Sequence, residues 1–168
     1  MPESLYDRTS RRCAPDALDP SLHAALLAEA ELQGLGDLSA PVTACVETRS
    51  VPRRRPGVLS RLLGGGPAQE SLTAAVLLPR HLLLAVTRVR TGSTTAHCGR
   101  LDDMTVTDVD QRLVVDSGVS VTTRWSDRSE AGSLHVGLGD DAAGVWFKDA
   151  LRRAVQAAKG GRREDPAR

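Results

Sequence analysis

Between Gly36 and Gly139 the apolar residues follow a strand-like period, whereas from Pro20 to Gly34 and after Gly139 they recur at helical spacing. On the order of 100 positions of strand period, with a helical segment at either end, restrict the chain to a mainly β fold with flanking helices. Seven strands are expected, at 42–49, 72–78, 82–90, 94–101, 104–109, 119–125 and 133–138, separated by clusters of Asp, Ser and Gly. The second and third form a hairpin through Pro79-Arg80-His81, where proline presets a turn dihedral. In the sixth, Val119, Val121, Thr123 and Trp125 share one face and Ser120, Thr122 and Arg124 the other, as a half-solvated antiparallel sheet requires. Residues 112–116 fit either a short extra strand or a loop.

The helical ends carry their own start and stop signals. Asp19 before Pro20 reads as an N-cap followed by proline at the first helical position, with Leu22, Leu26, Leu27 and Ala30 in step until Gly34. A helix over about 20–33 follows, within an added N-terminal segment at 19–36. After Gly139, Asp140 and Asp141 favour a helix start. Ala143, Phe147, Ala150, Leu151, Ala154 and Ala158 then trace one face, and Gly160-Gly161 are expected to end it. Residues 1–18 mix charge, Ser and Pro without periodicity and are expected to be a disordered lead-in, and 160–168 a disordered tail.

At 168 residues the chain is sized for one domain, here 40–159. Its aromatic inventory is Tyr6, Trp125, Trp146 and Phe147, so Val, Leu and Ala must build the core. Twenty-two basic against 21 acidic side chains leave a net charge of +1, too weak a global field to recruit nucleic acid. No stretch reaches the roughly 18 apolar residues of a transmembrane span. Cys13, Cys45 and Cys98 are odd in number and lack two-residue spacing, so free thiols in a cytoplasmic protein are expected.

Catalytic patterns are absent. No Gly-x-Ser-x-Gly elbow occurs, and His97 and Cys98, as neighbours on a strand, point to opposite faces. His23, His81, His97 and His135 have no partner at metal-ligand spacing, and Gly64-Gly65-Gly66 lacks the Lys-Ser/Thr of a phosphate loop. Asp102-Asp103 falls at a turn and Asp140-Asp141 at a helix start, where acids have structural reasons to be. No cofactor, metal or catalytic residue is expected.

One segment stands out. Arg49, Arg53, Arg54, Arg55 and Arg61 lie between strands one and two with no acidic residue among them, interleaved with Val58, Leu59, Leu62 and Leu63. Arginines around a small apolar wedge suit an anionic bilayer surface, with Leu62 and Leu63 as inserting residues, but also a solvated linker whose leucines dock on the domain.

Leu77-Leu78-Pro79-Arg80-His81-Leu82-Leu83-Leu84 resembles the second-to-third-strand hairpin of the pleckstrin-homology-like superfamily, and Val145-Trp146-Phe147-Lys148 resembles its last helix. The resemblance covers about 40–159. It implies a seven-stranded antiparallel barrel capped by the C-terminal helix, a large aromatic plugging one end, with the N-terminal helix as an addition. Composition alone equally allows another small barrel or an open sheet packed on a helix. The resemblance also implies that the first inter-strand loop gathers anionic ligands, with Arg49, Arg53, Arg54, Arg55, Arg61 and Arg80 as contacts. The expected function is a non-catalytic interaction module for another protein. The alternatives are peripheral binding to anionic lipid headgroups at the inner membrane surface, and a small-molecule-binding barrel or enzyme. The last would carry an interior pocket of roughly 300 Å³.

Overall fold

The computed structural model describes residues 4–38, 41–53, 69–109 and 116–163. Among them are eight strands in two antiparallel sheets and two long helices. The first sheet is a meander of β1 (Tyr6–Arg12), β2 (Ala44–Pro52), β3 (Ser71–Leu77), β4 (His81–Arg88) and β5 (Thr94–Arg100). The second is β6 (Thr105–Asp108), β7 (Val119–Thr123) and β8 (Gly132–Val136). Helix α1 (Pro20–Leu32) lies between β1 and β2 in the chain, and α2 (Ala142–Arg163) follows β8.

The seven expected strands correspond to β2 through β8, but three expectations are corrected. The segment 1–18, expected to be disordered, contains β1, which pairs along its length with β2 from Tyr6↔Pro52 to Arg12↔Val46. No closed barrel is found among the described residues, since no strand of one sheet pairs with a strand of the other. Two features account for this: β1 occupies the free edge of β2, and the 3-10 turn Leu101–Asp103 carries the chain out of the first sheet before β6. Helix α2 also runs through Gly160 and Gly161 to Arg163 instead of stopping at the glycines.

Both faces of the first sheet are covered. On the outer face, Leu22, Leu26 and Ala30 of α1 are fully buried against Ala74, Val76, Leu83, Ala85 and Cys98. The registers Ala74↔Ala85 and Ala85↔Ala96 set three alanines in a row across β3, β4 and β5, leaving room for the helix to approach. Asp19 caps α1 by accepting from Ser21 N at 2.9 Å, as the Asp-Pro pair predicts. On the inner face, Ala44, Val46, Ala75, Leu77, Leu82 and Leu84 form one core with Val119, Val121, Trp125 and Val136 of the second sheet and Phe147, Leu151 and Val155 of α2. Gly99 permits this approach, because a Cβ there would lie 2.7 Å from Thr123 Cγ2 and 3.2 Å from Trp125 Cζ3. The large aromatic of α2 that enters the core is Phe147, with 0% exposure. Trp146 stays at the margin, its ring 4.0 Å from the Arg12 guanidinium carbon.

Burial on both faces explains why the hairpin from Ser71 to Arg88 reads as an almost continuous apolar run in place of an alternation.

Candidate functional site

Successive cross-strand rows of the inner face change in chemistry. Ala44, Leu77 and Leu82 form one row, and Val46, Ala75 and Leu84 the next, ending at His97. The third is Ser10, Thr48, Thr73, Val86 and Thr95, and the fourth is Arg8, Ser50, Ser71 and Arg88. Because a strand rises about 3.3 Å per residue, the face turns from hydrocarbon to hydroxyl and charge within roughly 15 Å. The polar rows lie where β2 leaves the sheet and β3 enters it.

A cleft of about 310 Å³ opens at this end. Its walls are Leu84, Val86, Leu134 and Val136, and its polar groups come from Thr73, Arg88, Ser93, Thr95, His97 and His135. His97 Nδ1 lies 3.2 Å from Asp127 Oδ1 but makes no well-aligned hydrogen bond. Cys98 belongs to the outer core, so His97 and Cys98 do lie on opposite faces. Burial pushes the Cys98 thiol up to about 12.

Beside the cleft, a largely buried polar network joins β1 to the second sheet. Arg8, its side chain 6% exposed, pairs with Asp116 and donates Nε to Ser50 Oγ at 3.0 Å and Nη1 to the Ser117 carbonyl at 3.0 Å. His135 Nε2 lies 3.2 Å from Asp116 Oδ2, linking the network to the cleft lining. Burial, then the Arg8 charge, holds the His135 imidazole below its ordinary pKa. Gly118 shapes the approach to β7: its φ is +122°, and a Cβ would collide with the Val136 carbonyl. Nearby, Ser10 Oγ accepts from Gly139 N at 2.9 Å and meets Thr48 Oγ1 at 2.7 Å. Asp141 accepts from Ser10 N at 2.7 Å and from Gly144 N at 2.9 Å, so one carboxylate ties β1 to the start of α2.

Of the anion-binding residues expected from sequence, the three that are described, Arg49, Arg53 and Arg80, do not converge. Arg49 is paired with Glu70 at 2.6 Å, and Arg53 with Asp7 at 2.9 Å. Arg80 lies at the opposite end of the sheet, in the β3–β4 turn, lining a separate groove with Arg100, Asp102 and the last turns of α2. Arg54, Arg55, Arg61, Leu62 and Leu63 lie outside the described residues. The run from Arg49 to Pro67 lacks acids of its own, but Asp7 on β1 and Glu70, just before β3, pair with Arg53 and Arg49.

Other groupings are modest. Among the described residues no cluster of three or more His, Cys, Asp or Glu is placed to hold a metal, and no helix is long and apolar enough to cross a membrane. No protein-family model, curated protein or solved structure matches the chain. Its function is therefore argued from its own geometry.

Proposed function

We propose that this chain is a non-catalytic, cytoplasmic interaction module of the pleckstrin-homology-like kind. A partner protein presents an anionic side chain or terminus to the cleft between the sheets. The lining of that cleft carries the reading: Arg88, two imidazoles and three hydroxyl side chains surround apolar walls, and no carboxylate is among the lining residues. Two acids touch the lining: Asp116, beside His135, is paired with Arg8, and Asp127 faces His97. A cleft of about 310 Å³ admits one side chain. Helix α1 and α2 brace the two faces of the first sheet, so the cleft walls are preformed and little ordering is needed on binding.

The same volume supports a second reading, a small anionic molecule with a short apolar body, since ligand pockets begin near 300 Å³. Peripheral binding to anionic lipid through Arg54, Arg55, Arg61, Leu62 and Leu63 is a third. The ion pairs of Arg49 and Arg53 make those two weaker contributors to it.

One variant separates these readings. Arg88→Glu reverses the charge at the cleft rim on an exposed side chain at the end of β4, where folding should tolerate it. Proteins captured from the native host by the wild type should be lost with Arg88→Glu. An identical captured set would reject the cleft as the contact. A rise in thermal midpoint with short-chain carboxylates alone, abolished by Arg88→Glu, would favour the small molecule. Salt-sensitive retention on phosphatidylserine vesicles that survives Arg88→Glu would favour lipid.

A further inference from the structure

Cys13 and Cys45 face each other across the β1–β2 pair, beyond its last register partners Arg12↔Val46. Cys13 N donates to the Cys45 carbonyl at 3.3 Å, and the two sulfurs are 3.8 Å apart. Directly opposite residues of an antiparallel pair have Cα atoms about 4.5 to 5.5 Å apart, within the roughly 4.4 to 6.8 Å that a disulfide spans. A bond between the sulfurs therefore needs side-chain rotation and only slight backbone adjustment. Cys98, on β5, is three strands away from β2.

We propose that Cys13 and Cys45 are the site of a reversible intrachain disulfide formed by a peroxide. The two thiols differ in the way such a step requires. Cys13 is half-buried and Cys45 buried. The hydrogen bond from Cys45 lowers the Cys13 thiol below its ordinary range, with Arg11 adding to it. The same hydrogen bond, then burial, raises Cys45. Cys13 is thus the attacking thiolate and Cys45 the resolving thiol.

In the first step the Cys13 sulfur attacks one peroxide oxygen and the O–O bond breaks. The leaving hydroxide takes a proton to become water, and Cys13 becomes a sulfenic acid. In the second, Cys45 gives up its proton and attacks the Cys13 sulfur, the S–O bond breaks, and a second water leaves. Two thiols are oxidised to a disulfide and one hydrogen peroxide is reduced to two waters. A dithiol reductant reverses the change by two thiol–disulfide exchanges. The bond closes the segment that carries α1 and fastens the edge strand β1 to β2, so it restricts the unfolded chain and raises thermal stability.

The sequence makes the product easy to read, because no Lys or Arg lies between Cys13 and Arg49 and trypsin releases both cysteines on one peptide. Reduced full-length protein treated with hydrogen peroxide should fall from three titratable thiols to one. Its Cys13–Arg49 peptide should become lighter by two hydrogens, recover with dithiothreitol, and accompany a rise in thermal midpoint. Cys98→Ser should behave like the wild type, whereas Cys13→Ser should lose the mass change. Cys45→Ala, which keeps the site apolar, should lose it too. A peptide made heavier by oxygen, a link involving Cys98, three thiols remaining, or a cross-link without a higher midpoint would overturn the proposal.

Discussion

The two faces of the five-stranded sheet solve different problems. The outer face is apolar across β3, β4 and β5 and is sealed by α1, with Leu22, Leu26 and Ala30 wholly buried. The inner face is apolar only for its first two rows, under Phe147 and Leu151 of α2, and then passes to Ser10, Thr48, Thr73, Ser50 and Arg8. A sheet held firmly on one face can carry polarity on the other without losing its register. That division explains why the cleft lies at the polar end of the inner face.

The largest test of this contrast removes one buried side chain from each face. Phe147→Ala should cost on the order of 3 to 5 kcal/mol, and Leu26→Ala on the order of 2 to 5, measured by urea denaturation. Because the two side chains belong to separate cores on opposite faces, the double variant should be additive to within about 0.5 kcal/mol. Clear non-additivity would mean the sheet transmits strain and the faces are not independent.

Much of this framework is legible in the sequence. The hairpin of β3 and β4, the alternation in β7, the Asp-Pro start of α1 and the aromatic face of α2 each carry a local signal. β1 carries none. Its inward residues are Arg8, Ser10 and Arg12, and their partners Ser50, Thr48, Asp116, Ser117, Gly139 and Trp146 lie tens of residues away or more. A polar segment most of whose partners are distant looks like a tail when only its neighbours in sequence are considered. The cleft is hidden for a similar reason, since its six polar residues are scattered over β3, β4, β5, β8 and one loop, with no more than two on any of them. Aligning the strands as a meander would have placed Thr73, Val86 and Thr95 in one row. The arginine-rich segment was visible, but the carboxylates that neutralise Arg49 and Arg53 lie outside it.

A smaller effect is expected from the polar end. Asp116→Asn leaves the Arg8 guanidinium buried without its opposite charge, a change that costs about 3 kcal/mol when neither side chain reaches water well. Arg8 keeps Ser50 and the Ser117 carbonyl, so the loss should fall at the low end of such values. Joint replacement by Arg8→Met and Asp116→Leu should recover part of it. If Asp116→Asn alone left the denaturation midpoint unchanged, the network would be a surface feature and the contrast between the rows would lose its energetic meaning.

The smallest expected effect appears with acid. His135 has a lowered pKa from burial and then the Arg8 charge, and His81, at the opposite end of β4 from Arg88, has one from burial and then Arg100. Asp116 would favour a protonated His135, but it is already bonded to Arg8. As pH falls below about 6.5, these histidines protonate first in the unfolded chain, so the unfolded state binds more protons and stability declines. The decline continues until the folded-state imidazoles themselves take up protons, and above about 7 both groups are neutral in either state and contribute no slope. The lowered carboxylate of Asp19, held by Ser21, has its own loss near and below about pH 4, so the interval from about 5 to 6.5 isolates the histidines. Stability measured across that interval should fall less steeply in His135→Gln and in His81→Gln than in the wild type, with each variant removing only its own share. If His81→Gln flattened the profile and His135→Gln did not, Asp116 would be holding His135 near its ordinary pKa. The cleft would then have a protonatable edge close to neutral pH, and anion capture there should strengthen as the pH is lowered towards 6.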